Sequence, residues 1–462
     1  MFSKETYTGR RNELRKSIKE GIILLLGNVD VPMNYPSNIY RWRQDSNFMY
    51  FLGLDYPGMA AIIDSEHGND FLFGDDVSLD DIIWMGAQPL MAEKADQTGV
   101  AKTLPYHKLH EKLQQAISLG RTIHFLPPYR AENKIIISEL LNINPEEQKT
   151  KSSKELIRAI VNLRSIKDKD EISELEKAME TAWLMHTTAM KMACPGVYER
   201  EIAGAIEGIA ISAGGSLSFP AIVSVHGETL HNHYHGNKLK EGDLLLVDAG
   251  IQNSMYYSTD HTRTSPVGGK FTSRQKDIYE IVLDAQLQAL DTIKPGVSNK
   301  SVHMLAATTI ARGLHDLGLM RGDITSAVEL GAHALFMPHG LGHMMGLDVH
   351  DMEDLGEDYV GYDDEIQRSD IFGTAFLRLG RKYQPGFVLT VEPGCYFIPA
   401  LIEKWRGEQK FTDYINYDKV AEYIGFGGIR IEDDVLVTEN GNRLLGKPIP
   451  KSVSDIENLM QR

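Results

Sequence analysis

Residues 243–250 of the chain read DLLLVDAG, and this stretch decides how the second half of the sequence is interpreted. Its apolar run predicts a buried strand, in which the charge of Asp248 is costly unless it is paired or bound to a metal. Residues 256–266, YYSTDHTRTSP, are typical of the partner strand of a hairpin and place Asp260 on that strand. Two aspartates on adjacent strands can converge on one point. An ordinary hairpin, with one aspartate in an ion pair to Arg263, explains the same pattern.

Two further acidic residues stand at or near the ends of apolar runs. Glu392 ends the β-branched run of VLTVEPGCYF, residues 388–397, and precedes Pro-Gly. In GGIRIEDDVLVT, residues 427–438, Arg430 and Glu432 alternate with isoleucines. On a single strand these two side chains would share a face. A local ion pair between them is the alternative.

Residues 337–351, MPHGLGHMMGLDVHD, contain three histidines, His339, His343 and His350. The glycines between the first two disfavour a helix. A helical zinc motif would also place a glutamate beside the first histidine, and none is present. The pattern therefore predicts a loop and a strand, with one histidine on a metal. The other two are then available for hydrogen bonding and proton transfer.

Together these motifs predict a metal site with four carboxylates and one imidazole. Such a site is oxygen-rich, which disfavours structural zinc, since zinc in that role prefers cysteine and histidine. It favours Mn²⁺-like ions or a pair of ions that act together. The four negative charges match two divalent cations, which can activate a water molecule near neutral pH. The predicted ligands are Asp248, Asp260, His343, Glu392 and Glu432.

The first 150 residues or so alternate short apolar runs with helical stretches, which predicts an α/β domain. The polar stretch EEQKTKSSK, residues 146–154, predicts a boundary, and a bridging helix is expected over 153–163. The runs that predict strands are Ile22–Leu26, Met59–Ile63, Phe71–Phe73 and Thr122–Leu126.

The second half begins with a predicted helix that ends at Pro195-Gly196. PGVYEREIAGAIEGIA starts at residue 195, and PGVSNKSVHMLAATTIA starts at residue 295, one hundred residues later (295 − 195). Each segment follows a predicted helix and continues as an apolar helical face. This predicts a duplicated domain with pseudo-twofold symmetry. A chance match of three residues is the alternative.

Composition narrows the class of protein. The net charge of −16 disfavours a nucleic-acid partner or an anionic membrane. The two cysteines provide no disulfide framework and fit a reducing compartment. The first residues lack an apolar signal core. The run IILLLG is far shorter than the roughly 20 residues of a membrane helix. We therefore expect a cytoplasmic protein with no nucleic acid and no membrane among its partners.

The motifs VDAG…TDHTRT, HGLGHMMGLDVHD, LTVEPG and GIRIEDD, taken together, resemble the pita-bread metallopeptidase family in order and nearly in spacing. This resemblance covers about residues 165–450. RWRQDSNFMYFLGL, at 41–54, resembles the N-terminal domain of the aminopeptidase P branch. The resemblance implies an α/β (α+β) chain, in which a creatinase-like α/β domain, 1–164, precedes a catalytic pita-bread domain, 165–462, with pseudo-twofold symmetry.

The resemblance also divides the predicted ligands between two ions. Asp248 would bind one ion, and His343 and Glu392 would bind the other. Asp260 and Glu432 would bridge both ions. Glu392 would in addition take a proton from the attacking water.

Four more residues gain roles from the resemblance. His231 and His350 would contact the substrate, His339 would line a proline pocket, and Arg430 would lie beside a bridging carboxylate. The residues alone do not distinguish His231 from the two histidines that follow it in HNHYH.

The activity implied by the resemblance is hydrolysis of the bond between an N-terminal residue and a following proline. The expected cofactors are two divalent metal ions, with Mn²⁺ favoured and Co²⁺ or Zn²⁺ as alternatives. The expected partners are peptides with proline in second position, and the expected assembly is a homodimer or homotetramer. A prolidase, which accepts only dipeptides, is the nearest alternative. A creatinase and a non-catalytic binding module are weaker alternatives. Creatinase lacks the metal ligands, and all five predicted ligands are present in this sequence, which also disfavours a binding module.

Two features depart from the family pattern. The offset between Asp248 and Asp260 is twelve residues (260 − 248) where the family usually has eleven. An extra residue in the hairpin turn, around Asn253–Met255, would absorb the difference, whereas a slip within a strand would turn Asp260 away. The stretch 352–386 is longer than in compact members, and a lid and a subunit contact are both open as its role.

Overall fold

The computed structural model describes residues 1–461. The chain divides into two compact units: one contains residues 1–164 and 354–359, and the other contains 165–353 and the residues from 360 onward. The mixed helix and strand content agrees with the predicted α/β (α+β) class. We propose that the units correspond to domains 1–164 and 165–462, with 354–359 as the exception.

The first unit is built on a mixed five-stranded sheet with the order β4-β3-β2-β1-β5. The central strand β1 is antiparallel to β2 and parallel to β5. Its continuous apolar sequence, IILLL, is almost wholly buried, as expected for a strand covered on both faces. All four predicted strands are present, although the last is shortened. The strands are β1 (Ile22–Leu26), β2 (Ala60–Asp64), β3 (Phe71–Phe73), β4 (Lys102–Leu104) and β5 (Ile123–His124).

Two helices cover one face of this sheet. Leu109 and Leu113 of one helix and Ile137 of the next pack against Leu24 and Ile62 of the sheet in one buried cluster. The predicted helix at 153–163 is present as the last helix of this unit. The helices are α1 (Lys4–Ser17), α2 (Ser46–Leu52), α3 (Leu79–Met85), α4 (Met91–Thr98), α5 (Lys108–Ser118), α6 (Ala131–Leu141), α7 (Gln148–Lys151) and α8 (Lys154–Ser165).

The second unit combines long helices with short strands. Its helices are α9 (Lys169–Met192), α10 (Glu199–Ser212), α11 (Ser273–Thr292), α12 (Asn299–Asp316), α13 (Ile324–Glu329), α15 (Pro399–Gly407), α16 (Tyr417–Ala421) and α17 (Val453–Met460), and α14 (Glu357–Gly361) begins in the other unit. Its strands are β6 (Ser216–Leu217), β7 (Ile222–Ser224), β8 (Leu244–Ala249), β9 (Ile251–Gln252), β10 (His261–Pro266), β11 (Val388–Val391), β12 (Gly394–Tyr396), β13 (Gly428–Arg430), β14 (Asp433–Val437) and β15 (Asn442–Leu444).

The two Pro-Gly-Val segments have the same local structure. Each joins two packed helices, α9 to α10 and α11 to α12. Gly196 and Gly296 have φ angles of 93° and 85°, a left-handed conformation that favours glycine. In each turn the valine amide donates to the carbonyl three residues earlier, Val197 to Cys194 and Val297 to Lys294. The two segments predicted as a repeat therefore share the geometry of this turn.

Two sequence expectations about strands were wrong in detail. β10 begins at His261, so Asp260 lies one residue before the strand and not on it. Arg430 ends β13 and Glu432 precedes β14, and these strands belong to different sheets. The chain changes partners between these residues, because β13 pairs with β12 while β14 pairs with β11 and β15.

Candidate active site

The first two carboxylates come from the hairpin of β8 and β10. Asp248 on β8 is opposite Thr262 on β10. The connecting turn is compact: the Asn253 side chain accepts hydrogen bonds from the amides of Met255 and Tyr257 at 2.8 and 3.1 Å. β8 and β10 pair without a break in register. The placement of the extra residue around Asn253–Met255 stays a prediction.

His343 lies in irregular backbone, which agrees with the predicted loop. Its amide donates to Thr390 Oγ1 at 3.1 Å, and the Thr390 amide donates to the His343 carbonyl at 3.0 Å. A Cβ at Gly342 would lie 1.9 Å from the Thr390 carbonyl oxygen, so only glycine permits this approach. The loop is thereby held against β11, which Glu392 follows directly.

Glu432 is held at the same place by the hairpin. Its Oε2 accepts from Thr262 Oγ1 at 2.7 Å, and its amide donates to the Thr262 carbonyl at 3.1 Å. Thr262 is therefore both the strand partner of Asp248 and a hydrogen-bond donor to Glu432. Two distant parts of the sequence, the hairpin of β8 and β10 and the segment that carries Glu432, meet in this way.

All five predicted ligands converge. His343 Nε2 lies 3.4 Å from Asp260 Oδ2 and 3.8 Å from Glu392 Oε1. Candidate ligand atoms of Asp248, Asp260 and Glu432 lie within 4.8 Å of one another, and so do those of His343, Glu392 and Glu432. The same criterion groups Asp260 and His343 with His350, which was not predicted as a ligand. Geometry alone therefore leaves His350 within reach of a cation.

The electrostatics of the site fit divalent cations. Burial, and then the neighbouring carboxylates, raise the pKa of Asp260 and of Glu432 well above their ordinary values. Burial also raises the pKa of Glu392. Asp248 Oδ1 is buried with no hydrogen-bond partner among residues 1–461. A cation among these groups would favour their charged forms instead.

The orientation of His343 gives a second test of fit. Its Nδ1 lies 3.1 Å from the Met344 carbonyl, which can only accept, so Nδ1 carries the proton. In the neutral ring the lone pair of Nε2 then points at Asp260 and Glu392. A lone pair that faces this group of carboxylates can bind a cation, and this tautomer is one that metal-binding histidines adopt.

Arg430 and Arg263 have partners that the sequence did not predict. Arg430 Nη2 forms an ion pair with Asp248, and its Nη1 donates to the Tyr396 hydroxyl at 2.9 Å. Arg263 Nη2 donates to Asp433 Oδ1 at 2.5 Å. Neither sequence alternative, an Arg430–Glu432 pair or an aspartate ligand paired with Arg263, is therefore the arrangement observed.

His339 is fixed by hydrogen bonds at both ring nitrogens. Nδ1 donates to the Gly340 carbonyl at 2.7 Å, so Nε2 accepts from the Tyr396 hydroxyl at 2.9 Å. Burial, and then Arg430, lower the pKa of His339 to about 4. The ring is therefore neutral near pH 7. Tyr396 was not predicted from sequence, although its place four residues after Glu392 is the signal that could have identified it.

His350 and His231 line a cavity together with the candidate ligands. The His350 ring stacks on that of His343 with centroids 3.9 Å apart, and its Nδ1 lies 3.0 Å from Glu353 Oε2. Burial, and then His343, lower the pKa of His350 to about 4. Burial, and then Arg430, lower the pKa of His231. The other seven predicted site residues line this cavity as well, so all nine lie at one place.

That cavity has a volume of about 640 Å³ and is open to solvent. Phe372, Phe376 and Arg378 form part of its wall, and they come from the stretch 352–386 whose role was open. Asp434 supports the site from behind, since its Oδ2 accepts from the Asp260 amide at 2.9 Å. The sequence analysis did not predict Phe372, Phe376, Arg378 or Asp434 as site residues. Only Asp434, the second aspartate of IEDD, could have been recognised from its motif.

Known proteins show the same architecture. Residues 173–439 match the model of metallopeptidase family M24, and residues 7–124 match that of the aminopeptidase P N-terminal domain. The chain belongs to metallopeptidase family M24. Xaa-Pro aminopeptidase of Escherichia coli K12 is an M24 relative that is 30% identical over 99% of this chain and 98% of its own length.

Two other comparisons extend this result. Human Xaa-Pro dipeptidase is 29% identical over 97% of this chain and 90% of its own length. The structure of zinc-substituted E. coli aminopeptidase P in complex with product has a TM-score of 0.82 and 29% identity, and covers 99% of this chain and 98% of that one. The chain is therefore similar, along nearly its whole length, both to a protein named an aminopeptidase and to a protein named a dipeptidase.

Proposed function

We propose that this M24 metallopeptidase is a Xaa-Pro aminopeptidase, which hydrolyses the bond between an N-terminal residue and a following proline. The observation that carries the proposal is the cluster of four carboxylates and the Nε2 of His343 at the base of a 640 Å³ cavity. The similarity of the whole chain to an E. coli enzyme of that name supports the substrate class.

The ligand set would hold two divalent cations. When bound, such a pair polarises the substrate carbonyl and makes water acidic enough to attack near neutral pH. The Glu392 carboxylate accepts a proton from the attacking water and delivers it to the proline nitrogen as the C–N bond breaks. The carbonyl carbon gains the water oxygen, and the products are a free amino acid and a peptide that begins with proline.

The histidines act around this centre. His350 and His231 lie at the cavity where they can stabilise the tetrahedral intermediate and orient the substrate. His339 is held neutral by the bonds to Gly340 and Tyr396, and it provides a rigid flat surface for the proline ring. A Xaa-Pro bond has no N–H, so a pocket shaped for the ring is a better basis for recognition than a hydrogen bond to that nitrogen.

We propose Mn²⁺ as the native metal, with Co²⁺ and Zn²⁺ as alternatives. The ligand atoms are mostly carboxylate oxygens, which suit Mn²⁺ better than the cysteine and histidine sets of structural zinc sites. Elemental analysis of protein purified without chelator tests this choice, and two Mn²⁺ per chain is the expected result.

The activity is tested with Xaa-Pro-Xaa, Xaa-Ala-Xaa and acetylated Xaa-Pro-Xaa peptides at equal concentration in Mn²⁺. Only the first should be cleaved. Glu392→Gln should abolish cleavage, whereas Glu403→Gln, an exposed glutamate on α15, should not change it. Activity that survives thorough removal of metal would contradict the proposal. Comparable cleavage of the alanine peptide would indicate a general aminopeptidase.

Prolidase is the second candidate, and Arg378 is the observation that favours it. Its guanidinium lines the cavity. Its positive charge contributes a lowering of the pKa of His231, of His350 and of Glu392. A cation at this place could bind the carboxylate of a Xaa-Pro dipeptide. Rapid cleavage of the dipeptide with none of the tripeptide would identify a prolidase.

We also propose a cytoplasmic homodimer or homotetramer. Within residues 1–461, no helix has both the length and the apolar character that crossing a membrane requires. Helix α3 exposes Leu79, Ile83, Trp84 and Met85, and Trp84 is 84% exposed. A short helix with exposed apolar side chains around its axis is typical of a protein interface. Light scattering coupled to size exclusion should give two or four chains, and Trp84→Lys should favour the monomer.

A further inference from the structure

The stretch 371–378 packs on the loop that carries His339. Leu377 is buried, and its Cα would lie 2.8 Å from a Cβ at Gly340. Gly373 adopts a φ of 87°, and a Cβ there would meet Ala334 Cβ at 2.5 Å. These close approaches fix the stretch against the cavity. It is therefore part of the wall of the site in this structure.

Two phenylalanines of this stretch are exposed at the cavity. Phe372 is 38% exposed and Phe376 is 55% exposed, and both line the cavity together with Ile398 and Leu401. Their rings meet edge to face at 5.7 Å, and Phe372 also meets the buried Trp405 edge to face at 5.8 Å. Aromatic rings held in place but left open to solvent at a cavity are typical of a ligand-binding surface.

The position of this surface indicates which part of a peptide it contacts. The scissile carbonyl belongs at the carboxylates and His343, and the proline ring belongs beside His339. Phe372 and Phe376 lie on the segment packed against the His339 loop, and no carboxylate ligand comes from that segment. They therefore lie beside the loop that carries the proposed proline pocket.

We propose that Phe372 and Phe376 form the binding surface for the side chain that follows proline, and so select peptides with a large apolar residue in third position. This inference rests on the proposed Xaa-Pro aminopeptidase activity. It also gives the stretch 352–386 a role in specificity, because the two rings come from that stretch and not from the metal-binding strands.

The test compares kcat/KM for Ala-Pro-Leu, Ala-Pro-Ala and Ala-Pro-Glu, all amidated so that the terminal carboxylate does not differ. Wild type should prefer leucine over alanine by at least about tenfold, because one methylene in an apolar pocket is worth about 10- to 200-fold in kcat/KM. Phe372→Ala and Phe376→Ala should each lower that ratio several-fold, and the double variant should bring it near one.

Two further variants separate specificity from folding. Phe372→Leu with Phe376→Leu keeps an apolar surface and should retain most of the preference. Leu287→Ala removes an exposed apolar side chain on α11, away from the cavity, and should leave the ratio unchanged. Cleavage without a leucine preference, or a preference that survives in the double alanine variant, would overturn this inference alone. Failure to cleave any of the three peptides would overturn the proposed function as well.

Discussion

Lys167 and Asp351 form a buried ion pair that fixes the segment between two site histidines. Lys167 Nζ lies 2.9 Å from Asp351 Oδ2, and the two side chains are 1% and 2% exposed. The Asp351 amide donates to the Met344 carbonyl at 2.9 Å, so the segment from His343 to His350 is tied at both of its ends. Loss of the pair should therefore affect both stability and turnover.

Lys167→Met removes the ammonium and leaves the buried carboxylate of Asp351 without it. Removal of one partner of a buried pair costs about 3–5 kcal/mol of unfolding free energy. Lys167→Met combined with Asp351→Asn removes both charges and should recover most of that loss. A shift of His350 by about 1 Å could also lower kcat by as much as about 10².

Urea unfolding of the metal-free protein, monitored by circular dichroism, measures the free energy of unfolding. The kcat and the metal content of the metal-loaded enzyme measure the effect on turnover. The chain has two compact units, so the transition of each must be fitted separately. Lys177→Met is the matched control on α9, because Lys177 is 65% exposed in its pair with Glu174 and should contribute at most about 1 kcal/mol. A cost for Lys167→Met no larger than that of Lys177→Met would refute the reasoning.

Three further predictions concern other parts of the second unit. His350→Ala should keep its metal but lose about 10²–10³ in turnover, measured as kcat against metal content. Asp434→Ala should weaken metal affinity by about 10–100-fold in a competition titration, because Asp434 holds the Asp260 amide. His303→Leu should reduce the loss of stability between pH 7 and pH 5 by about 2 kcal/mol, measured by urea unfolding.

The sign of the last prediction follows from the burial of His303. Burial, and then His333, lower its pKa from 6.5 to about 3. Between these values the unfolded chain binds more protons than the folded one, so His303 destabilises the fold as the pH drops below about 6.5. If His303→Leu has the same pH dependence of stability as the wild type, this explanation is wrong.

The other two predictions have their own contrary outcomes. Parallel loss of metal and activity in His350→Ala would make His350 a ligand. Unaltered metal affinity in Asp434→Ala would show that the Asp434 carboxylate does not support the site.

Much of the fold and of the candidate site follows from local sequence. The continuous apolar runs of β1 and β8 predict buried strands, because such runs are stable only where both faces are covered. Gly196 and Gly296 predict the ends of helical segments, because a left-handed residue favours glycine. Candidate ligands are also indicated, since a carboxylate in or at the end of a buried strand requires a partner.

The tertiary structure decided which groups meet. Arg430 and Asp248 are 182 residues apart, and the ion pair between them is not encoded in the spacing of either motif. Glu432 leaves the strand that carries Arg430 because the chain changes sheets there. The position of Phe372 and Phe376 at the cavity likewise depends on packing against the His339 loop. Residue types and periodicity determine the local conformation and the chemical groups that are present. Contacts between distant residues depend on how separate elements pack, and that packing depends on the interactions of the whole chain.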